Sequence, residues 1–534
     1  MFVKYRIFIL IMITLLVLVV IISGCGAPDT EPGATPEPAP GVRNIAVILD
    51  TEEIVVFWDP SETWSNEVIA FQNVYESLLR YDPFTDTFEP ILATGYSVSE
   101  DGLSWIFELR EGVKFHTGNP FNAEAVKYSI DRTKELGMGS SFIWDAVEEI
   151  NVLDEYTVEF VLVYPSPLDL IASAAYAAYI FDPVATEEYG REWFYEGNAA
   201  GTGPYMVESW IPMDELVLTR FDDYWGGWAQ ENKFEKAVYK VIQEPSTARQ
   251  MIEAGQADWI TMLPFEHISA LEADPNISIT VTPSFQNLMG LLNTEKAPLD
   301  NVLVRRALNY AFPYDSVIEN VMLGYASQGR GTIPKGLWGH SEELYQYGYD
   351  LDRAAELLAE AGYPDGGFEL LLTYASGNEF QRRIGELYKA ELVKLGIDLE
   401  LRGMPWESQW DMAKAPNPED RQDIFVFYWW PDAPDPISWL WGLFYTEEEI
   451  GFNLSYFYNP EYDALIDEGS MLAGADRDEA IRLYAEAQQI VIDEAVSIFI
   501  YDQENVRVMR TNFKGYKDNP VYANVVFLYD CYRE

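Results

Sequence analysis

Hydrophobic positions along the chain change period several times, and each change marks a predicted element. Trp105, Phe107 and Leu109 alternate with Ile106, Glu108 and Arg110 after a turn at Asp101-Gly102, so Tyr96 to Arg110 reads as a β-hairpin. Val158, Phe160 and Leu162 alternate with Thr157, Glu159 and Val161 in the same way. Asn122 is placed to cap a helix that runs through Val126, Ile130 and Thr133. Leu351, Ala354, Leu358 and Ala361 keep helical spacing until Gly362 and Pro364 end it. Phe368 to Tyr374 is predicted as a strand and Phe380 to Leu395 as a helix with Ile384, Tyr388, Leu392 and Leu395 inward. After Gly396, the positions Ile397, Leu399 and Leu401 alternate as the next strand. That unit predicts a parallel crossover. A late helix, Arg477 to Glu494, carries Ala480, Leu483, Tyr484, Ala487 and Val491 on one face. The pattern is mixed α and β.

The first residues follow a different rule. Lys4 and Arg6 precede an apolar stretch, Ile7 to Ile22, and Ile22-Ser23-Gly24-Cys25 follows, which describes an export signal over residues 1–24. Its ending resembles the lipobox of lipoproteins, which implies lipid on Cys25; an uncleaved membrane anchor is the alternative. Both put the remaining chain outside the cytoplasm. Residues 25–42 are rich in proline among Glu, Thr and Ala, a composition that favours an extended tether over a core. With Cys25 lipidated, Cys531 has no disulfide partner, so the fold must rest on its core.

Charge narrows the partners. The 534 residues hold 87 Asp plus Glu against 35 Lys plus Arg, a net charge of −52. That field repels phosphate backbones and anionic lipid, so no nucleic acid partner is expected and membrane attachment must be covalent or hydrophobic. Catalytic motifs are missing from the sequence. The three histidines, His116, His267 and His340, form no H-E-x-x-H; no G-x-S-x-G, C-x-x-C or Gly-Lys phosphate loop occurs. Gly201-Thr202-Gly203-Pro204 reads as a turn. No enzyme activity, cofactor or metal is expected.

From about Asn73 onward the chain resembles family 5 of the extracellular solute-binding proteins, the peptide and nickel binding components of ABC importers. The resemblance is carried by several segments: Asn73-Val74-Tyr75-Glu76-Ser77-Leu78-Leu79, Asp101 to His116, Gly201-Thr202-Gly203-Pro204-Tyr205, and Asp223-Tyr224-Trp225-Gly226-Gly227. Arg249 to Asp258 and Val304-Arg305-Arg306-Ala307-Leu308 add to it. Phe312-Pro313 departs from the family pattern and leaves the local helix ending open. The resemblance implies a periplasmic-binding-protein-like α/β fold of the large, oligopeptide-binding type: two α/β lobes joined by a hinge, plus an extra third domain. Residues 43–86, 200–288 and 500–534 would form lobe I, 87–199 the extra domain and 289–499 lobe II. It implies a monomer that binds a small solute, peptide foremost, and hands it to an ABC permease. Oligosaccharide or nickel-chelate cargo is the alternative, and a secreted hydrolase or ligand sensor is the alternative of another class.

Candidate site residues cluster late. Between Tyr428 and Tyr458 there are 11 aromatics in 31 residues, about twice the chain-wide 15%. Tyr428-Trp429-Trp430-Pro431-Asp432-Ala433-Pro434-Asp435-Pro436 follows an apolar strand and should emerge at its end, where open α/β sheets hold ligands. The resemblance implies that Asp432 or Asp435 holds a peptide's amino terminus through charge-assisted hydrogen bonds. Trp429, Trp430 and Trp439 would supply flat walls. Trp58, beside Asp59-Pro60, would either face the cleft or pack in the core; Asn287 and Asn293 would contact ligand or sit at a hinge.

Overall fold

The computed structural model describes residues 44–534 apart from 52, 56, 57, 230, 231, 430–433, 448, 475 and 523. The expected export signal, Cys25 and the tether lie outside the described residues, as do Trp430 and Asp432.

One large mixed sheet organises the chain. In its first half, Ile45–Asp50 lies parallel to Lys236–Val241 and to Trp259–Ile260. Glu215–Arg220 and Tyr205–Ile211 extend that half as antiparallel strands. In its second half, Glu369–Ala375 lies parallel to both Asp398–Met404 and Ile424–Trp429. The halves are joined by two long antiparallel strands, Ile277–Leu292 and Ser497–Arg510. Residues 277–283 pair with 504–510 and residues 287–291 with 497–502, with a register shift between Pro283 and Asn287. Phe285, inside that irregularity, takes a φ of +57°. An aromatic residue adopts this left-handed conformation only when its surroundings hold it there, and Phe285 is buried.

A separate four-stranded antiparallel sheet holds Ala93–Val98, Ser104–Leu109, Thr157–Leu162 and Val147–Asp154. Trp105, Phe107 and Leu109 point inward and pack with Val158, Phe160 and Leu162 beneath the helix Ala123–Leu136, forming a core distinct from that of the large sheet. The period-2 alternation thus produces a half-buried sheet.

The local expectations from periodicity match the structure closely. Asn122 accepts the amide of Ala125 and caps its helix. Glu369–Ala375, the helix Glu379–Leu392 and Asp398–Met404 form the parallel unit, and Gly396 turns between them at φ +74°. Phe312-Pro313 separates two helices, Val302–Tyr310 and Tyr314–Asn320. Phe312 is buried against Tyr314 and Tyr388, so the departure from the family pattern becomes a packed corner.

Candidate functional site

The three parallel strands of the second half end on one side, and the C-terminal ends of such strands are where open α/β sheets form ligand crevices. Ile424–Trp429 ends there, and Asp398–Met404 delivers Pro405 and the helix Trp406–Ala413.

Asp435 is buried, and its Oδ1 accepts the amide of Ile437 at 3.0 Å, at the start of the helix Ile437–Phe444. Burial pushes its pKa up to about 6; the Ile437 amide and Arg477 oppose the shift, and Asp169 adds to it. Tyr428 shares a hydrogen bond of 3.0 Å with Tyr501 on the long strand Ser497–Arg510, across the intervening strand Ile277–Leu292. The Trp429 indole donates to Ser438 O at 3.1 Å, and its ring lies 5.5 Å from Phe452.

Trp439 corrects the expectation of a flat wall, and Trp58 takes the core position of the two that the sequence left open. Trp439 is 0% exposed and donates its indole N–H to Asn287 Oδ1 at 3.1 Å, so it ties the helix Ile437–Phe444 to a long strand. Trp58 is 1% exposed, with Phe71 and Trp210 as ring neighbours. Both sit in the core. The adjacent Asp59 carboxylate clamps Arg132 at 2.5 and 2.7 Å, which fixes the first half of the large sheet to the antiparallel domain. Asn287 also donates to Thr332 O at 3.1 Å and pairs in register with Asp502; it is a junction residue.

Other rings stand in the open. Trp406 and Phe452 are about half exposed, and both lie 5.4 Å from Trp410. Lys414 Nζ sits 5.4 Å from the Trp410 ring. Trp441, also half exposed, stacks on Tyr445. A signal for the first of these was available: Trp406 and Trp410 stand four apart on a helix that opens directly after a strand and a proline.

Several family-like segments converge on one buried carboxylate away from this crevice. Glu76 accepts Thr202 Oγ1 at 2.8 Å, Tyr224 Oη at 2.8 Å and Trp225 Nε1 at 3.0 Å. Burial raises its pKa, and these donors oppose the rise. Gly201 and Gly203 are required by close approach: a Cβ on Gly203 would stand 2.6 Å from Asn73 O, and one on Gly201 would collide with the Val74 carbonyl. His116 donates from Nε2 to Gly203 O at 2.9 Å, and burial holds it neutral with a pKa pushed down to about 4. These segments build the scaffold.

Among the described residues, no group of three or more His, Cys, Asp or Glu side chains is placed to hold a metal, and no helix is long and apolar enough to cross a membrane.

Two halves of one sheet joined by two long antiparallel strands, with parallel strands ending together in each half, are the architecture of a two-lobed solute-binding protein. The chain belongs to the bacterial extracellular solute-binding proteins, family 5, whose family model matches residues 87–450. It is 29% identical over 478 residues to a probable D,D-dipeptide-binding periplasmic protein of Escherichia coli K12, covering 88% of this chain and 90% of that one. It is 27% identical over 476 residues to heme-binding protein A of Haemophilus influenzae, covering 84% and 85%. Its fold matches an ABC transporter-associated periplasmic binding protein from Helicobacter pylori, solved with the peptide STSA, with a TM-score of 0.74. That match has 25% identity and covers 92% of this chain and 99% of that one.

Proposed function

We propose that this solute-binding protein captures peptides between its lobes and delivers them to an ABC permease, without chemical turnover, while lipid on Cys25 holds it at the outer face of the membrane. The observation that carries the peptide reading is the sequence that directly follows the strand Ile424–Trp429, in which Asp432 and Asp435 supply carboxylates. Asp435 is buried and its Oδ1 accepts the Ile437 amide at the start of the next helix; we assign the ligand's ammonium group to Asp432. The dipeptide-binding and peptide-bound relatives support this cargo. Tyr428 and Trp429 would flank the ligand, together with Trp430. The lobe boundaries that go with this reading are 43–86, 200–288 and 500–534 for lobe I, 87–199 for the extra domain and 289–499 for lobe II, working as a monomer.

A second cargo, a planar ring compound, is favoured by the half-exposed Trp406, Trp441 and Phe452 and by the heme-binding relative. A thermal-shift panel on residues 43–534 separates the two. It would contain L-peptides, D-Ala-D-Ala, glutathione, hemin, oligosaccharides and nickel chelates. A ligand at 100 times its Kd adds about 2.7 kcal/mol to stability. Midpoint shifts from peptides alone support the proposal; shifts from hemin or oligosaccharide alone reject it.

A further inference from the structure

Residues 293–496 connect to the rest of the chain through only the two long strands. Contacts they make with the remainder away from those two strands must break if the lobes part. One such contact is built around Arg477, the first residue of the helix Arg477–Asp493. Its Nη1 lies 2.8 Å from Asp86 Oδ1 and its Nη2 3.6 Å from Asp169 Oδ2. Both partners are held in place, Asp86 half exposed at the surface and Asp169 buried. Asp86 sits in the turn between Leu79–Asp82 and Thr87–Pro90 at φ +48°, and its Oδ1 also accepts Tyr81 Oη at 2.9 Å. Asp169 is buried and accepts Tyr96 Oη at 3.1 Å.

The surroundings make this a fitted contact. A Cβ on Gly474 would stand 3.3 Å from Ser166 O and 3.4 Å from Pro167 Cα, so the turn before Arg477 lies close against the loop that leads to Asp169. The guanidinium also stands 5.1 Å from the Trp338 ring centroid, and the Trp338 indole donates to Pro434 O at 2.9 Å. Arg477 therefore touches the antiparallel domain on one side and, through Trp338, the candidate binding segment on the other. An ion pair with a buried carboxylate is costly to break from one side, because the remaining charge is left without a partner.

We propose that Arg477 is a positioning residue that clasps lobe II to the edge of lobe I through Asp86 and to the extra domain through Asp169, and so sets how much of the protein stands closed. This rests on the two-lobe reading above but not on the identity of the cargo. Hydrogen exchange read by mass spectrometry on the full-length protein, with no ligand added, tests it. In Arg477→Ala, amides of 84–88 and 166–172 should exchange at least tenfold faster, although the substitution is more than 300 residues away in sequence. Arg477→Lys should recover most of that protection, and Asp169→Asn should reproduce part of the loss from the opposite side, which keeps the test valid if Arg477→Ala folds poorly. Amides of Ser104–Leu109 and Thr157–Leu162, inside the same antiparallel domain, should keep their wild-type rates. Unchanged exchange at 84–88 and 166–172 in both variants would overturn the proposal. So would an equal rise in the strands Ser104–Leu109 and Thr157–Leu162, which would mean a loosened domain instead of an opened clasp.

Discussion

The indole of Trp439 donates to the side-chain oxygen of Asn287 at 3.1 Å, across 152 residues of sequence. Asn287 sits where the strand Ile277–Leu292 shifts register and turns its amide to Thr332 O. The helix that follows the candidate binding segment is thereby anchored to the strand that joins the lobes. Asn287→Ala leaves a buried indole N–H and a buried carbonyl unpaired, and each such loss costs about 1–3 kcal/mol. Urea unfolding should show destabilisation of that order, and the same substitution should alter ligand affinity because it frees the joint.

Asp502, the register partner of Asn287, has its pKa pushed up to about 7 by burial; the Lys335 amide and charge oppose the shift, and Glu342 adds to it. A folded-state pKa above the unfolded value means that the folded chain holds an extra proton between roughly pH 4 and pH 7. Its contribution is fully present below about pH 4 and is lost as pH rises through about 7. Asp502→Asn keeps the acceptor for the Lys335 amide but removes the titration. The stability advantage of the variant over wild type should therefore grow as pH rises from 4 to 7. It should reach at most about 4 kcal/mol, since a protonation difference of one proton is worth about 1.4 kcal/mol per pH step. Denaturant melts across that range check it.

Glu76 gathers Thr202, Tyr224 and Trp225 onto one buried carboxylate. Glu76→Ala strips two buried donors and the half-buried Trp225 indole of their acceptor and should cost several kcal/mol, about 1–3 for each buried group left unpaired. The melting temperature should fall, while ligand affinity of the remaining folded protein stays near wild type. A large affinity loss at unchanged stability would contradict the scaffold role.

The chain carries a formal net charge of −52. Raising salt from 0.1 to 1 M shortens the screening length from about 10 to 3 Å and weakens that self-repulsion. Thermal melts in potassium chloride should show a rising midpoint over that range. A falling midpoint would show that ion pairs such as Arg132 with Asp59 outweigh the repulsion.

Local periodicity carried much of the architecture. The alternation at Trp105–Leu109 and the helical faces at 351–361 and 477–494 need only a short window, because one face of each is buried. The site was less legible. Aromatic density between Tyr428 and Tyr458 reports composition and not which rings face water, so Trp439 read as a wall although its N–H is spent on Asn287. The Glu76 cluster was invisible as a cluster because its donors stand 126 to 149 residues away. The segments that form it were nevertheless recognisable as family-like, and the structure shows the physical reason for their residue types: glycines at a close approach and donors for one acid.

Titration calorimetry with the best-binding peptide and its N-acetylated form, on wild type and Asp432→Asn, tests the central claim most directly. A hydrogen-bonded ammonium–carboxylate contact is worth about 1.5–3 kcal/mol. Wild type should therefore bind the free-amine peptide at least about tenfold more tightly than the acetylated one, and Asp432→Asn should erase that difference. Equal affinity of wild type for both forms, or a difference that survives Asp432→Asn, would contradict the assignment of the peptide amine to Asp432.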